Sequence, residues 1–460
     1  ALSSAILIFD HNMQSLHDEE LELGADSVLV KHLGYLFSRK QTSGRKPSME
    51  RLIVNEMSVT CEALEMVLRA SPSAVSQSFH RFGAEVLDLL IHLMDEETEK
   101  RRTDAPSHKS QSSDGETGDE SSVKVEVPDN SEMSPSLGSV ASSVCAGYCE
   151  EAGRHEADVL LRKASKTLGH FARVGAATKP MAYHPGLLPC LLKSLLMPIE
   201  VIPSETRLNS LWILANLACN ADNMVMMACH PRLIASLVEM TCRPIKNEDS
   251  VEVIVEILRS KSIASRALLN LSWAPENRIP MSENVRLIQA LATLTTLRKS
   301  PFGNRGRTVK GIIQQTRRHA VGALRNLAAA PPRNKIRLCL LQSGLLLNVL
   351  TDAALNDADS HVKLKAFETI RNLAIQDTAE IMIQNPALIL ALKDVLLSTE
   401  VENSEETPEK YASGTLLVLE RSITPDMQCY QTLQDLLQSV NPSTDDLGDK
   451  EECAMSPTAV

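Results

Sequence analysis

Four asparagines recur at a regular spacing, each within a close variant of the pattern Ala-x-x-x-Leu-x-Asn-Leu. They are Asn216, Asn270, Asn326 and Asn372, and they lie 54, 56 and 46 residues apart. An asparagine side chain has one acceptor and two donors, so it can bond both the C=O and the N–H of an extended peptide. A row of such residues would bind the backbone of a ligand. The alternative is that each amide bonds a neighbouring helix and fixes the packing between repeats.

A basic segment at residues 298–337 is the second feature with chemical potential. It holds eleven lysines and arginines and no aspartate or glutamate, in a chain whose formal net charge is −11. We predict an anion-binding patch made of Arg298, Lys299, Arg305, Arg307, Lys310, Arg317 and Arg318. Such a patch suits an acidic or phosphorylated peptide, a phosphoinositide head group or RNA. Pairing with an acidic segment of the same chain is a further alternative.

No convergent catalytic motif occurs in the sequence. The patterns Gly-x-x-x-x-Gly-Lys-Ser/Thr, His-Glu-x-x-His and Gly-x-Ser-x-Gly are all absent. We therefore expect a protein that is not an enzyme, with no catalytic residues, no cofactor and no metal. The last three residues, Thr458, Ala459 and Val460, resemble a class I ligand of PDZ domains.

Composition favours an all-α fold. Hydrophobic residues make up 43% of the 460 residues but aromatic residues only 3%, so a core must be filled mainly by aliphatic side chains. No run approaches the roughly 20 apolar residues that a membrane helix requires. The ten cysteines are scattered and several fall within apolar helical patterns, which is typical of a reducing compartment. We expect a cytoplasmic or nuclear location.

Helices must position the asparagines, because the apolar residues around each of them recur at intervals of three, four and seven. About 14 to 18 residues after each asparagine position, a helix-breaking or polar residue precedes a leucine-rich run. These runs start near residues 187, 233, 285, 345 and 386. Two markers that keep the same phase predict a repeated unit of two or three helices.

The same patterns divide the chain into four regions. Residues 1–94 are predicted to form an N-terminal helical region with a degenerate repeat, and residues 154–440 are predicted to form the repeat array. Residues 95–153 are predicted to be a flexible linker, because residues 95–133 carry 12 acidic against 5 basic side chains and few large apolar ones. Residues 441–460 are predicted to be an acidic disordered tail.

This pattern resembles the armadillo repeat family over roughly residues 160–425. Trp212 and Asn216 stand four residues apart, as in importin-alpha-type repeats, whereas the Arg-Asn pairs at 325–326 and 371–372 are similar to catenin-type repeats. The family fold is a right-handed superhelix, an α-solenoid of three-helix units. The third helix of each unit lines a concave groove. The resemblance therefore implies that the asparagine helices of this chain line such a groove.

By resemblance, the protein is a non-catalytic scaffold or adaptor that binds an extended, acidic or phosphorylated peptide. The residues expected to contact this peptide are Trp212, Asn216, Arg266, Asn270, Arg325, Asn326, Arg371 and Asn372. Binding of nucleic acid or anionic lipid through residues 298–337 is the main alternative. A nuclear-import-type adaptor is another, although the positions that correspond to Trp212 in the other repeats are Arg266, Gly322 and Glu368.

Overall fold

The chain is built of α-helices wherever the structure describes it. The computed structural model describes residues 25–42, 47–70, 72–104, 137–198, 201–246, 249–298, 307–397 and 407–440. All regular elements in these ranges are helices, which confirms the predicted all-α class. The chain divides into two compact units. The first comprises Ala1–Val174 and Leu196–Asn209, and the second comprises Gly175–Leu195 and Ser210–Val460.

Four helices form most of the first unit. They are α1 (Ala25–Thr42), α2 (Pro47–Ala70), α3 (Pro72–Asp104) and α4 (Leu137–Phe171). Helix α4 packs against both α2 and α3. Fully buried aliphatic side chains from all four helices, among them Leu33, Met57, Leu90 and Leu161, form its core.

The predicted linker is shorter than the sequence suggested, because residues 95–104 belong to α3 and residues 137–153 belong to α4. Glu97 is buried and accepts a hydrogen bond from Lys40 of α1 at 2.6 Å. Arg101 forms an ion pair with Asp158 of α4. These partners are distant in sequence, so local composition gave no sign that the charges are paired. The rest of the predicted linker, residues 105–136, and the predicted tail lie outside the described residues.

Three helices repeat five times in the following part of the chain. The first helices of these repeats are α5 (Gly175–Tyr183), α8 (Ala221–Cys229), α11 (Pro275–Glu283), α14 (Pro332–Leu340) and α17 (Gln376–Ile383). The second helices are α6 (Leu187–Leu196), α9 (Leu233–Cys242), α12 (Val285–Thr295), α15 (Leu345–Asn356) and α18 (Pro386–Leu397). The third helices are α7 (Ser204–Leu217), α10 (Val251–Trp273), α13 (Arg307–Ala328), α16 (Ser360–Leu373) and α19 (Pro408–Ser422). Helix α20 (Tyr430–Val440) follows them.

Within the second unit, helices of one kind stack on each other. Helix α8 packs on α11, α9 on α12, and α10 on α13, and the same relation continues from α13 to α16 and from α16 to α19. The leucine-rich runs predicted from the sequence coincide with the starts of the second helices. The predicted three-helix period is therefore a real period of the packing.

Local chemistry sets the helix boundaries. Asn284 caps α12 by accepting a hydrogen bond from the backbone N–H of Leu287 at 3.1 Å. Before α15, the chain turns at Gly344, whose φ of 86° suits a residue without a Cβ. The equivalent residue before α9 is Arg232, which adopts a φ of 66°. Gly344 and Arg232 thus share a left-handed turn, whereas Asn284, before α12, has a φ of −80°.

In three of the five repeats, a buried amide in the first helix joins the repeat to the one before. Asn277 of α11 donates to the carbonyl oxygen of Leu271, at the end of the preceding third helix, at 2.8 Å. It also donates to the carbonyl oxygen of Met224 in the preceding first helix at 3.0 Å. Asn223 makes the equivalent two bonds one repeat earlier, each at 3.0 Å. Asn334 of α14 makes only the bond to the preceding first helix, where it donates to Ser282 Oγ at 2.8 Å.

We predict that Asn277→Ala destabilises the second unit by about 1–3 kcal/mol, because two buried carbonyl groups lose their donor. The control is Asn372→Ala, since Asn372 is half-buried and makes no side-chain hydrogen bond within the described residues. The control should change stability by no more than about 0.5 kcal/mol. Urea denaturation followed by circular dichroism measures both effects. Equal midpoints for the two variants would contradict the role of the buried amide.

Candidate functional site

The four predicted asparagines all lie in the last turns of third helices. Asn216 is in α7, Asn270 in α10, Asn326 in α13 and Asn372 in α16. Helices α10, α13 and α16 pack side by side in that order. The structure therefore brings the C-terminal ends of these helices together, although the asparagines are 46 residues or more apart in the sequence.

The predicted residues Trp212 and Arg266 form a stacked pair between α7 and α10. The Trp212 side chain is 40% exposed, and the guanidinium carbon of Arg266 lies 5.0 Å from its ring centroid. Arg266 also donates a hydrogen bond to Asn216 Oδ1 at 3.2 Å. Arg266 makes no ion pair with a carboxylate within the described part of the chain, so its positive charge is not neutralised there.

A second stacked pair, between α10 and α13, includes a residue that the sequence analysis missed. Trp273 is the last residue of α10 and is 58% exposed. The guanidinium carbon of Arg325 lies 5.7 Å from its ring centroid. Trp273 follows Asn270 by three residues, a spacing that puts both on one face of a helix. This spacing is the sequence feature from which Trp273 could have been predicted as a site residue.

The asparagines themselves differ in what they contact. Asn326 is only 4% exposed and donates to Ser272 Oγ at 3.1 Å, while its oxygen accepts a hydrogen bond from Arg325 at 2.9 Å. It therefore has the packing role that the sequence left as the alternative. Asn270 donates to the carbonyl oxygen of Ala215 at 3.0 Å, which leaves its own oxygen for another partner. The uniform ladder expected from the sequence is thus interrupted at Asn326.

A cleft of about 400 Å³ opens between the third helices. Its lining combines apolar, polar and basic side chains from α10, α13, α16 and the α7–α8 region: Cys219, Met224, Leu269, Asn270, Trp273, Arg318, Gly322, Arg325, His361 and Lys365. Gly322 allows α10 and α13 to approach closely beside the cleft, because a Cβ at this position would lie 3.0 Å from Leu269 Cδ1. His361 and Lys365 were not predicted from the sequence.

Three of the seven residues in the predicted anion-binding patch form ion pairs within the chain. Arg298 pairs with Asp352 at 2.6 Å, and Arg317 pairs with the fully buried Asp357 at 3.0 Å. Arg318 makes two hydrogen bonds to the Asp359 carboxylate, at 2.6 and 3.1 Å. These three aspartates lie in α15 and in the connection that follows it, and are 40 residues or more from their partners. The charge count over 298–337 could not reveal this pairing.

The remaining members of the patch have different positions. Lys310 is exposed on α13. Arg307 is the first residue of α13, and nothing further is described of its side chain. Lys299 and Arg305 lie outside the described residues, between α12 and α13. Of the seven predicted cations, Arg298, Arg317 and Arg318 are therefore the ones that form ion pairs among the described residues.

Arg325 and Arg371, which were predicted to contact a ligand, are both half-buried. Arg325 forms an ion pair with Glu368 at 3.3 Å. Arg371 lies across α19 where Gly414 leaves room for it, since a Cβ there would be 2.9 Å from Arg371 Nε. Burial, followed by the positive charge of Arg371, lowers the pKa of Lys335. Positive charge is thus also concentrated near the end of α16.

Two groups near the cleft have pKa values changed by their surroundings. Burial alone raises the pKa of Asp359, but hydrogen bonds from Arg318 and Gln314 outweigh this effect and hold the pKa below its ordinary value. Burial, followed by the charges of Arg318 and Lys365, lowers the pKa of His361. At neutral pH Asp359 is therefore ionised and His361 is uncharged.

Comparison with known proteins adds little to this geometry. No protein-family model and no curated protein sequence matches the chain. A crystal structure described as an engineered protein of the Northeast Structural Genomics Consortium is similar at 20% identity and a TM-score of 0.41. The match covers 57% of this chain and 91% of that one. A match at this score carries no argument about fold or function.

The described residues contain neither a single helix suited to crossing a membrane nor a group of potential metal ligands. No single helix in these ranges is both long and apolar enough to cross a membrane. Helices α14 and α15 together have sufficient length and apolar composition, but the chain bends by 82° at their junction. In the same ranges, no three histidine, cysteine, aspartate or glutamate side chains are grouped as metal ligands.

We predict that Asp359→Asn lowers stability at neutral pH by about 1–3 kcal/mol, because the ion pair with Arg318 is lost while the helix cap is retained. The folded-state pKa of Asp359 lies below its unfolded value of about 3.9. The contribution of the pair is therefore present above that pH and is lost as the pH falls through the folded-state pKa.

Urea midpoints of the wild type and of Asp359→Asn, measured as a function of pH, test this expectation. The difference between the two proteins should be constant above pH ~5 and should shrink below pH ~4. A difference that is unchanged throughout the acid range would mean that the Asp359 carboxylate contributes no ionic stabilisation.

Proposed function

We propose that the second unit is an armadillo-type right-handed solenoid that acts as a non-catalytic scaffold or adaptor in the cytoplasm or nucleus. Its third helices would bind an extended, acidic peptide. The successive stacking of α10, α13, α16 and α19 supports this proposal, because it generates a continuous surface along several repeats. The regular period of three helices supports it too.

The observation that carries the proposal is the pair of exposed tryptophans on consecutive third helices, each stacked with an arginine of the next one. Exposed tryptophan and arginine are the side chains most enriched at the energetic centres of protein interfaces. Arg266 lacks a carboxylate partner within the described residues, so an acidic side chain of a ligand would supply one. The apolar face of Trp212 would then pack against the stem of the same side chain or its neighbour.

The set of contact residues is narrower than the sequence suggested. Asn216, Asn270 and Asn372 are half-buried and can each offer a polar atom to a ligand backbone, whereas Asn326 is occupied by the packing of α13 on α10. Each backbone bond contributes only about 0.5–1.5 kcal/mol net. The two Trp–Arg pairs would therefore supply most of the affinity.

A test that requires no known partner is selection from a random peptide library on the intact protein. We expect acidic peptides to be enriched, and we expect Trp212→Ala and Arg266→Gln to weaken each of them about tenfold or more, as loss of a central interface contact does. The matched control is Lys179→Gln. Lys179 pairs with Asp222 between two first helices, and it neither lines the cleft nor belongs to a Trp–Arg pair.

The same protein preparation tests the competing hypothesis, which is binding of RNA or anionic vesicles through residues 298–337. That hypothesis predicts that binding weakens steeply as the salt concentration rises and that Trp212→Ala has no effect. Ion pairing of Arg298, Arg317 and Arg318 argues against it. Peptides that bind equally to Arg266→Gln and to wild type would refute the proposed peptide site.

A further inference from the structure

The cleft over Gly322 has an asymmetric lining that fits one kind of side chain. Trp273, Leu269 and Met224 form an apolar wall, and Arg318, Arg325, His361 and Lys365 supply the basic groups. The lining contains no aspartate or glutamate. A group that enters this cleft therefore meets hydrocarbon on one part of its surface and N–H donors on another.

Two carboxylates that do not line the cleft hold its basic side chains in place. Asp359 binds Nε and Nη2 of Arg318, and Glu368 accepts hydrogen bonds from Arg325 Nη1 at 3.3 Å and from Lys365 Nζ at 2.7 Å. Arg318 Nη1 and two of the three ammonium hydrogens of Lys365 make no other bond within the described residues. Fixed cations with donors to spare bind an anion at little cost in side-chain entropy.

The charges in and behind the cleft do not cancel. Three cations, Arg318, Arg325 and Lys365, face two carboxylates, Asp359 and Glu368, so one positive charge remains. The neutral His361 can add a second, because its pKa is held down by burial and then by Arg318 and Lys365, and an arriving anion would offset their effect. A group with close to two negative charges would satisfy the site, and a carboxylate carries only one.

We propose that the cleft over Gly322 binds a phosphomonoester side chain of the peptide ligand, with Arg318 and Lys365 as its donors and Trp273 as its apolar wall. This inference rests on the proposed function, which it refines from acidic peptides to phosphorylated ones. A phosphate carries about 1.5 to 2 negative charges at neutral pH and has three strong acceptor oxygens. These properties match the residual charge and the free donors of the cleft.

The test uses fluorescein-labelled pools of nine-residue peptides in which the central residue is serine, phosphoserine, tyrosine or phosphotyrosine and the others are random. Fluorescence anisotropy with the intact protein gives an affinity ratio for each phosphorylated pool and its unphosphorylated twin. We expect a ratio of about ten or more, the value of one added charge-assisted hydrogen bond. Comparison of the two phosphorylated pools decides which residue carries the phosphate.

Two matched variants locate the effect. Lys365→Gln removes one cation from the cleft and should reduce the ratio roughly fivefold, whereas Lys310→Gln removes one exposed cation outside it and should leave the ratio unchanged. Arg266→Gln should weaken phosphorylated and unphosphorylated pools alike and so preserve the ratio. The three variants thus separate the cleft from the rest of the peptide site.

An affinity ratio near one for both phosphoserine and phosphotyrosine overturns the inference. An equal decrease of the ratio in Lys365→Gln and Lys310→Gln overturns it too, because it would indicate unspecific electrostatic attraction. Failure to bind either phosphorylated pool at concentrations up to about 1 mM overturns it as well. If the library selection still returns peptides that depend on Arg266, the peptide site stands and only the phosphate inference is wrong. If that selection fails, both are wrong.

Discussion

The arrangement of the second unit depends on one recurring interaction, the buried side-chain amide of the first helices. Asn223 and Asn277 each bond the last turn of the preceding third helix and the preceding first helix at the same time. Because an unpaired carbonyl in a dry interior is costly, the corner between repeats has few alternative geometries. The junction between a third helix and the next first helix is thereby fixed in orientation. The Trp–Arg pairs and the cleft lie at the C-terminal ends of these third helices.

Electrostatic pairing across repeats is the second constraint. The basic stretch of α13 and the acidic stretch around α15 form their ion pairs with each other, including one to the fully buried Asp357. A segment that looks strongly basic in the sequence is therefore close to neutral over part of its surface. What remains is a smaller set of cations near the cleft, held by Asp359 and Glu368 in fixed orientations. Fixed cations of this kind favour recognition of a particular anionic group over general attraction to polyanions.

The two stacked pairs and the cleft occupy one stretch of the third helices and complement each other. Each pair offers a flat aromatic surface next to a guanidinium group, whereas the cleft offers a recess of about 400 Å³ between the third helices. A flat surface suits the main chain and an apolar or acidic side chain of an extended ligand. The deeper cleft suits a single larger polar group.

The sequence by itself determined the all-α class, a repeated unit of two or three helices and the starts of the second helices, because helical periodicity and turn residues are local properties. It also selected Trp212, Arg266 and the four asparagines as ligand contacts, and all of them lie on third helices. The tertiary structure alone decided which polar groups have partners within the chain: Asn326 is buried, and Arg317 and Arg318 form ion pairs. It likewise decided that residues 95–104 are helical. It also decided that Trp273, His361 and Lys365 meet at one cleft. These outcomes depend on partners 40 residues or more away in the chain, and no local pattern records distances between such residues.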